Sequence, residues 1–229
     1  MNASRPPDAL KSKAVAGAAT AGLPNRTARE KLIEAAIATV RYKGFSATSV
    51  DEICQAAGVT KGAFFHHFAS KEALAVAAAG AWTDIAEQRI FTAPDWVRID
   101  DPLDRLMGHI EFRLAMLSGP AEDFTCFVGT MVQEAYNSSD PIRAACDASI
   151  SAYAERLAED VKRAIDQYGI GHDVNGLGLA YHIQAVLQGA FILAKAKGDA
   201  AIARDRSRDT TINRPSRPCF KDASFISHR

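Results

Sequence analysis

Five residues near position 60 set out the chemistry of which this chain is capable. They are Lys61, Gly62, Ala63, Phe65 and His66, within "TKGAFFHHF". At 100° per residue, Phe64 and Phe68 share one helical face flanked by Thr60, while Gly62, Ala63, Phe65 and His66 share the opposite one. Lys61 and His67 stand at the edges between them. A glycine inside a helix costs about 1 kcal/mol relative to alanine, so its presence needs a reason. Gly62 and Ala63 let the helix backbone approach a large partner closely, and the lysine, histidine and phenyl ring can hydrogen-bond or stack on it. A helix entering the major groove of DNA has these requirements. The chemistry is reversible recognition, with no bond made or broken.

Nothing else in the sequence argues for catalysis. There is no nucleophile elbow, phosphate loop or HExxH pattern, and the acidic residues fall on solvated helix faces at ordinary spacing. His66 and His67 are adjacent and diverge by about 100° on a helix, which disfavours a shared metal. The cysteines at 54, 126, 146 and 219 form no CxxC pair and suggest neither a disulfide framework nor a zinc site. No metal or cofactor is expected, and a reducing cytoplasm fits best.

The elements that must hold these residues read as helices throughout. "TAREKLIEAAIATVRYKG" opens with Thr27 and Glu30 in a capping box, carries the stripe Leu32, Ile33, Ala36, Ile37 and Val40, and stops at Gly44. Thr48 or Ser49 caps a second helix that buries Val50, Ile53 and Ala57; Gly58 turns the chain, and Thr60 caps a very short third helix. No sustained alternation of period two marks a strand. The formal net charge is zero, but residues 1–71 hold ten Lys/Arg against five Asp/Glu, residues 72–203 ten against nineteen, and the remainder seven against three. A basic N-terminal part beside an acidic body suits a polyanionic partner for the first part only.

The ordered string "TSVDEICQAAGVTKGAFFHHFASKEAL" resembles the DNA-binding domain of the tetracycline-repressor (TetR) family of transcriptional regulators. The resemblance is carried by the Ala-Gly-Val turn, Lys-Gly, the aromatic cluster, Phe68 and Ser70-Lys71-Glu72, over about Thr27 to Ala75. It implies that Thr48 and Ser49 bond backbone phosphate, that Thr60, Lys61, Gly62 and Ala63 enter the groove with Phe65 and His66 beside them, and that Lys71 neutralises another phosphate. Many members carry a tyrosine where Phe65 stands; Phe65 can only pack or touch apolar edges and sugars.

Beyond "SKEAL" a connecting helix runs to about Phe91, interrupted by Pro94, Asp100-Asp101 and Pro102. A stripe from Leu103 to Leu117 follows, then one helix holding Phe124, Phe127, Val128, Met131 and Ala135, then a long helix capped by Asp140 with Pro141 first, from Ile142 to Ile165. "VNGLGLAYHIQAVLQGAFILAKA" is apolar on more than one face, hence central or shared with a partner. The resemblance extends more weakly to about residue 203 and implies an all-α chain: a helix-turn-helix head at 27–75 and a helical ligand-binding and dimerisation domain at 76–203.

The resemblance further implies a homodimer on double-stranded operator DNA, released by a small-molecule effector. Trp82, Phe112, Phe124, Cys126, Tyr153, Tyr181 and Phe191 could line the effector pocket, or simply fill core. Cys126 in "DFTCFVG" also raises the alternative of a thiol-based sensor, and a non-DNA-binding adaptor on the same fold is a third reading. Residues 1–26 read as a disordered basic arm and 204–229 as a disordered tail, which puts half of the usual dimer interface in doubt. No apolar run reads as long enough to span a bilayer, so no membrane partner is expected.

Overall fold

The computed structural model describes residues 26–169 and 174–201, and among these every regular element is helical. The N-terminal arm up to residue 25, the tail 204–229 and Cys219 lie outside the described residues.

Helix α1, Ala28–Lys43, begins at the capping box read from the sequence: Thr27 accepts from the Glu30 amide and Glu30 returns to the Thr27 amide. Its whole apolar stripe is buried. Helix α2, Val50–Ala57, starts in the same way, with Ser49 and Glu52 forming a second capping box. Each cap contributes about 1 kcal/mol. At Gly58 the backbone takes φ 64° and ψ 36°, the left-handed conformation that closes a helix and that glycine enters without a Cβ penalty. Helix α3, Lys61–His67, follows after two residues. Phe64 is fully buried and Phe68 nearly so, which anchors this seven-residue helix to the head core formed with α1 and α2.

Helix α4, Lys71–Ala86, packs on α1 and runs on into the second domain, ending in a π-helical turn at Glu87–Phe91. The core is continuous across the junction: Leu32, Val40, Phe64 and Leu74 belong to one apolar cluster with Phe127, Met131 and Ile142. Such shared packing makes the head and the bundle mechanically dependent. The rest of the bundle comprises α5 (Pro94–Val97), α6 (Pro102–Ala115), α7 (Ala121–Phe124), α8 (Phe127–Ala135), α9 (Asp140–Tyr168) and α10 (Gly176–Lys197). Helix α9 is the central element, packed on α4, α6, α8 and α10.

Four local expectations change. The segment from Phe124 to Ala135 is two helices, because Thr125 and Cys126 are extended and Cys126 caps α8, its Sγ accepting from the Gly129 amide at 3.4 Å. Ser139, and not Asp140, caps α9; its hydroxyl accepts from the Ile142 amide and Pro141 takes the second helical position. The short α5 had no periodic signal, yet it places Trp96 at full burial with Nε1 donating to the Ile90 carbonyl at 2.8 Å. Finally, α10 is long and apolar enough to cross a membrane by length and composition. Ala180, Leu187, Ala190, Phe191 and Ala194 are buried, whereas Leu177, Tyr181, Ile192 and Leu193 stay exposed.

Candidate nucleic-acid interface and the adjoining cavity

The outward face of α3 is open. A Cβ built on Gly62 would meet only the Thr60 hydroxyl, at 3.8 Å, so no packing inside the chain requires a glycine there. Phe65 is 53% exposed, and its ring meets the edge of buried Phe64 at 5.1 Å. That contact holds the ring in place while leaving most of it uncovered. His66 and His67 are exposed with ring centroids 4.9 Å apart. Thr60 caps α3 by accepting from the Ala63 amide at 3.1 Å. Lys61 folds back onto Asp51 of α2 at 2.8 Å, and this carboxylate raises its pKa. Both groups are exposed, so the pair is weak and easily exchanged for a stronger anion.

Ser49 is exposed at the start of α2, where its hydroxyl serves the capping box with Glu52. Lys43 hydrogen-bonds the same carboxylate and, with Ser49, brings the Glu52 pKa down to about 2. Two other residues expected to touch phosphate are placed differently. Thr48 is 2% exposed and its hydroxyl donates to the Gly44 carbonyl at 2.6 Å, so it closes the α1–α2 loop and presents nothing outward. Lys71 turns inward: its ammonium donates to the carbonyls of Phe45 and Thr48 at 3.0 and 2.9 Å and lies 4.2 Å from the centre of the Phe45 ring. Burial lowers its pKa. Both corrections have one cause. The loop between α1 and α2 leaves backbone carbonyls without helical partners, and the nearest donors satisfy them.

Three polar contacts tie this head to the bundle. The Arg41 Nε donates to the Thr125 carbonyl at 2.8 Å, the Ser46 amide donates to Glu134 at 2.7 Å, and the Ser139 hydroxyl donates to Glu72 at 2.6 Å. Immediately beside the first lies a cavity of about 100 Å³ between α1, α4, α6 and the helices beyond. Trp82, Phe124, Cys126, Tyr153 and Phe191 line it. Phe112 and Tyr181 do not. Phe112 is half-buried against the separate cluster around Ile90 and Trp96, and Tyr181 is 39% exposed with its hydroxyl 3.0 Å from that of Ser151.

The sequence reading missed the cavity's charged lining: Arg41, Arg89 and Arg113. Arg41 lies in the basic last turn of α1 and Arg113 in that of α6, and only tertiary packing turns them toward one space. Next to Tyr153 stands His109, fully buried, with Nε2 2.9 Å from the Tyr153 hydroxyl. Burial, aided by the Arg113 charge, pushes the His109 pKa down to about 3, so the ring is neutral at pH 7. Among the described residues, no group of three His, Cys, Asp or Glu side chains is arranged to hold a metal ion.

Comparison with known proteins agrees with this architecture. Residues 32–78 match the model for bacterial regulatory proteins of the tetR family, and residues 102–210 match that for the tetracyclin repressor-like C-terminal domain. The chain is 30% identical to the transcriptional regulator AcuR of Cereibacter sphaeroides over 185 residues, covering 76% of this chain and 80% of that protein. A regulatory protein TetR from Rhodobacter sphaeroides superposes with a TM-score of 0.70 at 26% identity, covering 80% of this chain and 96% of that one. A TetR-family regulator from Agrobacterium tumefaciens, 22% identical, shares the fold with a TM-score of 0.69 over 80% of this chain and 95% of its own. A helix-turn-helix head with an open recognition face, joined through one long helix to a helical bundle, is thus accompanied by relatives over most of the chain: the protein belongs to the TetR family of DNA-binding transcriptional regulators.

Proposed function

We propose that this regulator is a cytoplasmic homodimeric repressor that leaves a palindromic operator when a small molecule occupies the cavity beneath α4. The observation that carries this reading is the outward face of α3, where Gly62 is open, Phe65 is held half uncovered and Lys61 has only an exchangeable surface partner. Thr60, Lys61, Gly62 and Ala63 enter the major groove with Phe65 and His66 beside them, and Ser49 bonds the phosphate backbone. Residues 27–75 form the reading head and 76–203 the sensing and pairing domain, in keeping with the two matched family regions.

Pairing falls to α10, whose exposed Leu177, Tyr181, Ile192 and Leu193 make an apolar surface that a second copy would cover. Release follows from linkage: the effector binds one head arrangement better, DNA binds the other, and the continuous core between α1, α4 and α8 transmits the difference. Footprinting of the purified protein on DNA flanking its own gene tests the reading. Two symmetric half-sites about 10 bp apart, or a related multiple, are expected. Tight binding of a monomer to one half-site, or no sequence-specific protection, would overturn it.

A further inference from the structure

We infer that the cavity takes a small organic carboxylate, held between Arg41 of the DNA-binding head and Arg113 of the bundle. The inference rests on the effector-released reading above and names the ligand's chemical class. Arg113 lines the cavity, and its buried Nε has no hydrogen-bond partner. Its guanidinium stacks near the rings of Tyr153 and Phe191, at 5.7 and 6.0 Å from their centres, which fixes the group without satisfying its donors. Arg41 is held in a similar way. Its guanidinium lies 5.0 Å from the Trp82 ring centre, and Nε is committed to the Thr125 carbonyl. Arg41 lines the same cavity.

The exposed Arg89 adds a third positive charge to the lining, against one carboxylate, Asp123, which is exposed as well. Among the described residues none of the three arginines forms an ion pair. Guanidinium groups remain charged in proteins, so the cleft is electropositive, and burial of an unpaired charge is costly unless an anion joins it. The fork of N–H donors on arginine matches a carboxylate in particular.

Size and walls narrow the class. A cavity of about 100 Å³ is on the scale of one that holds benzene, so the occupant carries only a handful of heavy atoms beyond its charged group. Trp82, Phe124 and Phe191 give the uncharged part an apolar bed, which favours an organic acid over a bare inorganic anion. Arg41 belongs to α1 of the head and Arg113 to α6 of the bundle. An anion bridging them therefore acts on the junction that positions α3.

Thermal-shift and calorimetric titration of the full-length protein with sodium benzoate and sodium butyrate tests this. Benzamide and butyramide serve as neutral isosteres, with inorganic phosphate and matched sodium chloride as further arms. The carboxylates should bind and raise the melting temperature, the amides about ten-fold more weakly or not at all, and phosphate and chloride not at all. Arg113→Gln should abolish the preference of carboxylate over amide. The wild-type comparison stands even if that variant folds poorly. Equal binding of acids and amides, binding of neither, or phosphate matching the carboxylates would overturn the inference. A footprinting arm separates the two readings: operator binding without carboxylate binding refutes this site but not the regulator, and carboxylate binding without any DNA binding does the reverse.

Discussion

Removing the Lys71 ammonium distinguishes a lysine that holds DNA from one that holds the fold. The structure gives this group two backbone acceptors, the Phe45 and Thr48 carbonyls, and a place over the Phe45 ring. A hydrogen bond to a charged group contributes about 1.5–3 kcal/mol when well buried, and a cation–π contact about 0.5–1 kcal/mol at an exposed site. Lys71 is only half-buried, and water can reach part of what it leaves, so the full sum is not expected. Lys71→Ala should lose about 2 kcal/mol of stability, or roughly 4–8 °C in melting temperature for a chain of this size. Urea denaturation measures the first and calorimetry the second. Operator affinity, measured by fluorescence anisotropy across a potassium chloride series, supplies the discriminating slope. A phosphate contact contributes about 0.9 to the dependence of log affinity on log salt, whereas a loop-holding lysine contributes nothing. The slope should therefore match wild type, with any affinity loss equal at all salt concentrations. Unchanged stability with a slope flattened by about one unit would refute the structural role and restore the phosphate contact.

Gly62→Ala should raise stability by about 0.5–1 kcal/mol, since the site is open and alanine favours the helix, while operator affinity falls; Gly62→Leu should abolish specific binding without unfolding the head, as circular dichroism and gel shift together would report. His109 carries a pKa depressed to about 3 in the fold against about 6.5 unfolded, so the unfolded chain takes up the extra proton. Its contribution is whole above pH 6.5 and falls by about 1.4 kcal/mol per unit as the pH drops toward 3, a loss near 2 kcal/mol at pH 5 that denaturation of His109→Gln should not show. Cys126 lines the cavity, whereas Cys54 and Cys146 are buried, with burial and the nearby Cys126 raising the Cys146 pKa to about 12. Among these three, iodoacetamide should label Cys126 first, by peptide mass mapping, and sodium benzoate should slow that labelling.

The head was legible from the sequence because its signals are local. The capping box at Thr27 and Glu30, the turn at Gly58 and the opposed faces of Phe64 and Gly62 each depend on residues within a few positions of one another. Period and caps likewise foretold an all-helical chain and most of its boundaries. The exceptions were two places without period, the four-residue helix carrying Trp96 and the break at Thr125 and Cys126, and the cap of α9, which falls on Ser139.

What the tertiary structure decided is where charged side chains go once their own helix offers them no partner. Lys71 and Thr48 stand at motif positions that suggest DNA, yet the loop carbonyls released by the turn after α1 take their donors. Arg41, Arg89 and Arg113 sit 24 to 72 residues apart, on surfaces that look solvated in each helix alone, and packing turns them to a single cavity. A sequence records the direction of a side chain around its own helix axis. The distance between two helices, and therefore the electrostatic field in the space they enclose, is set by core contacts such as Val40 and Leu74 with Phe127, which no local period encodes.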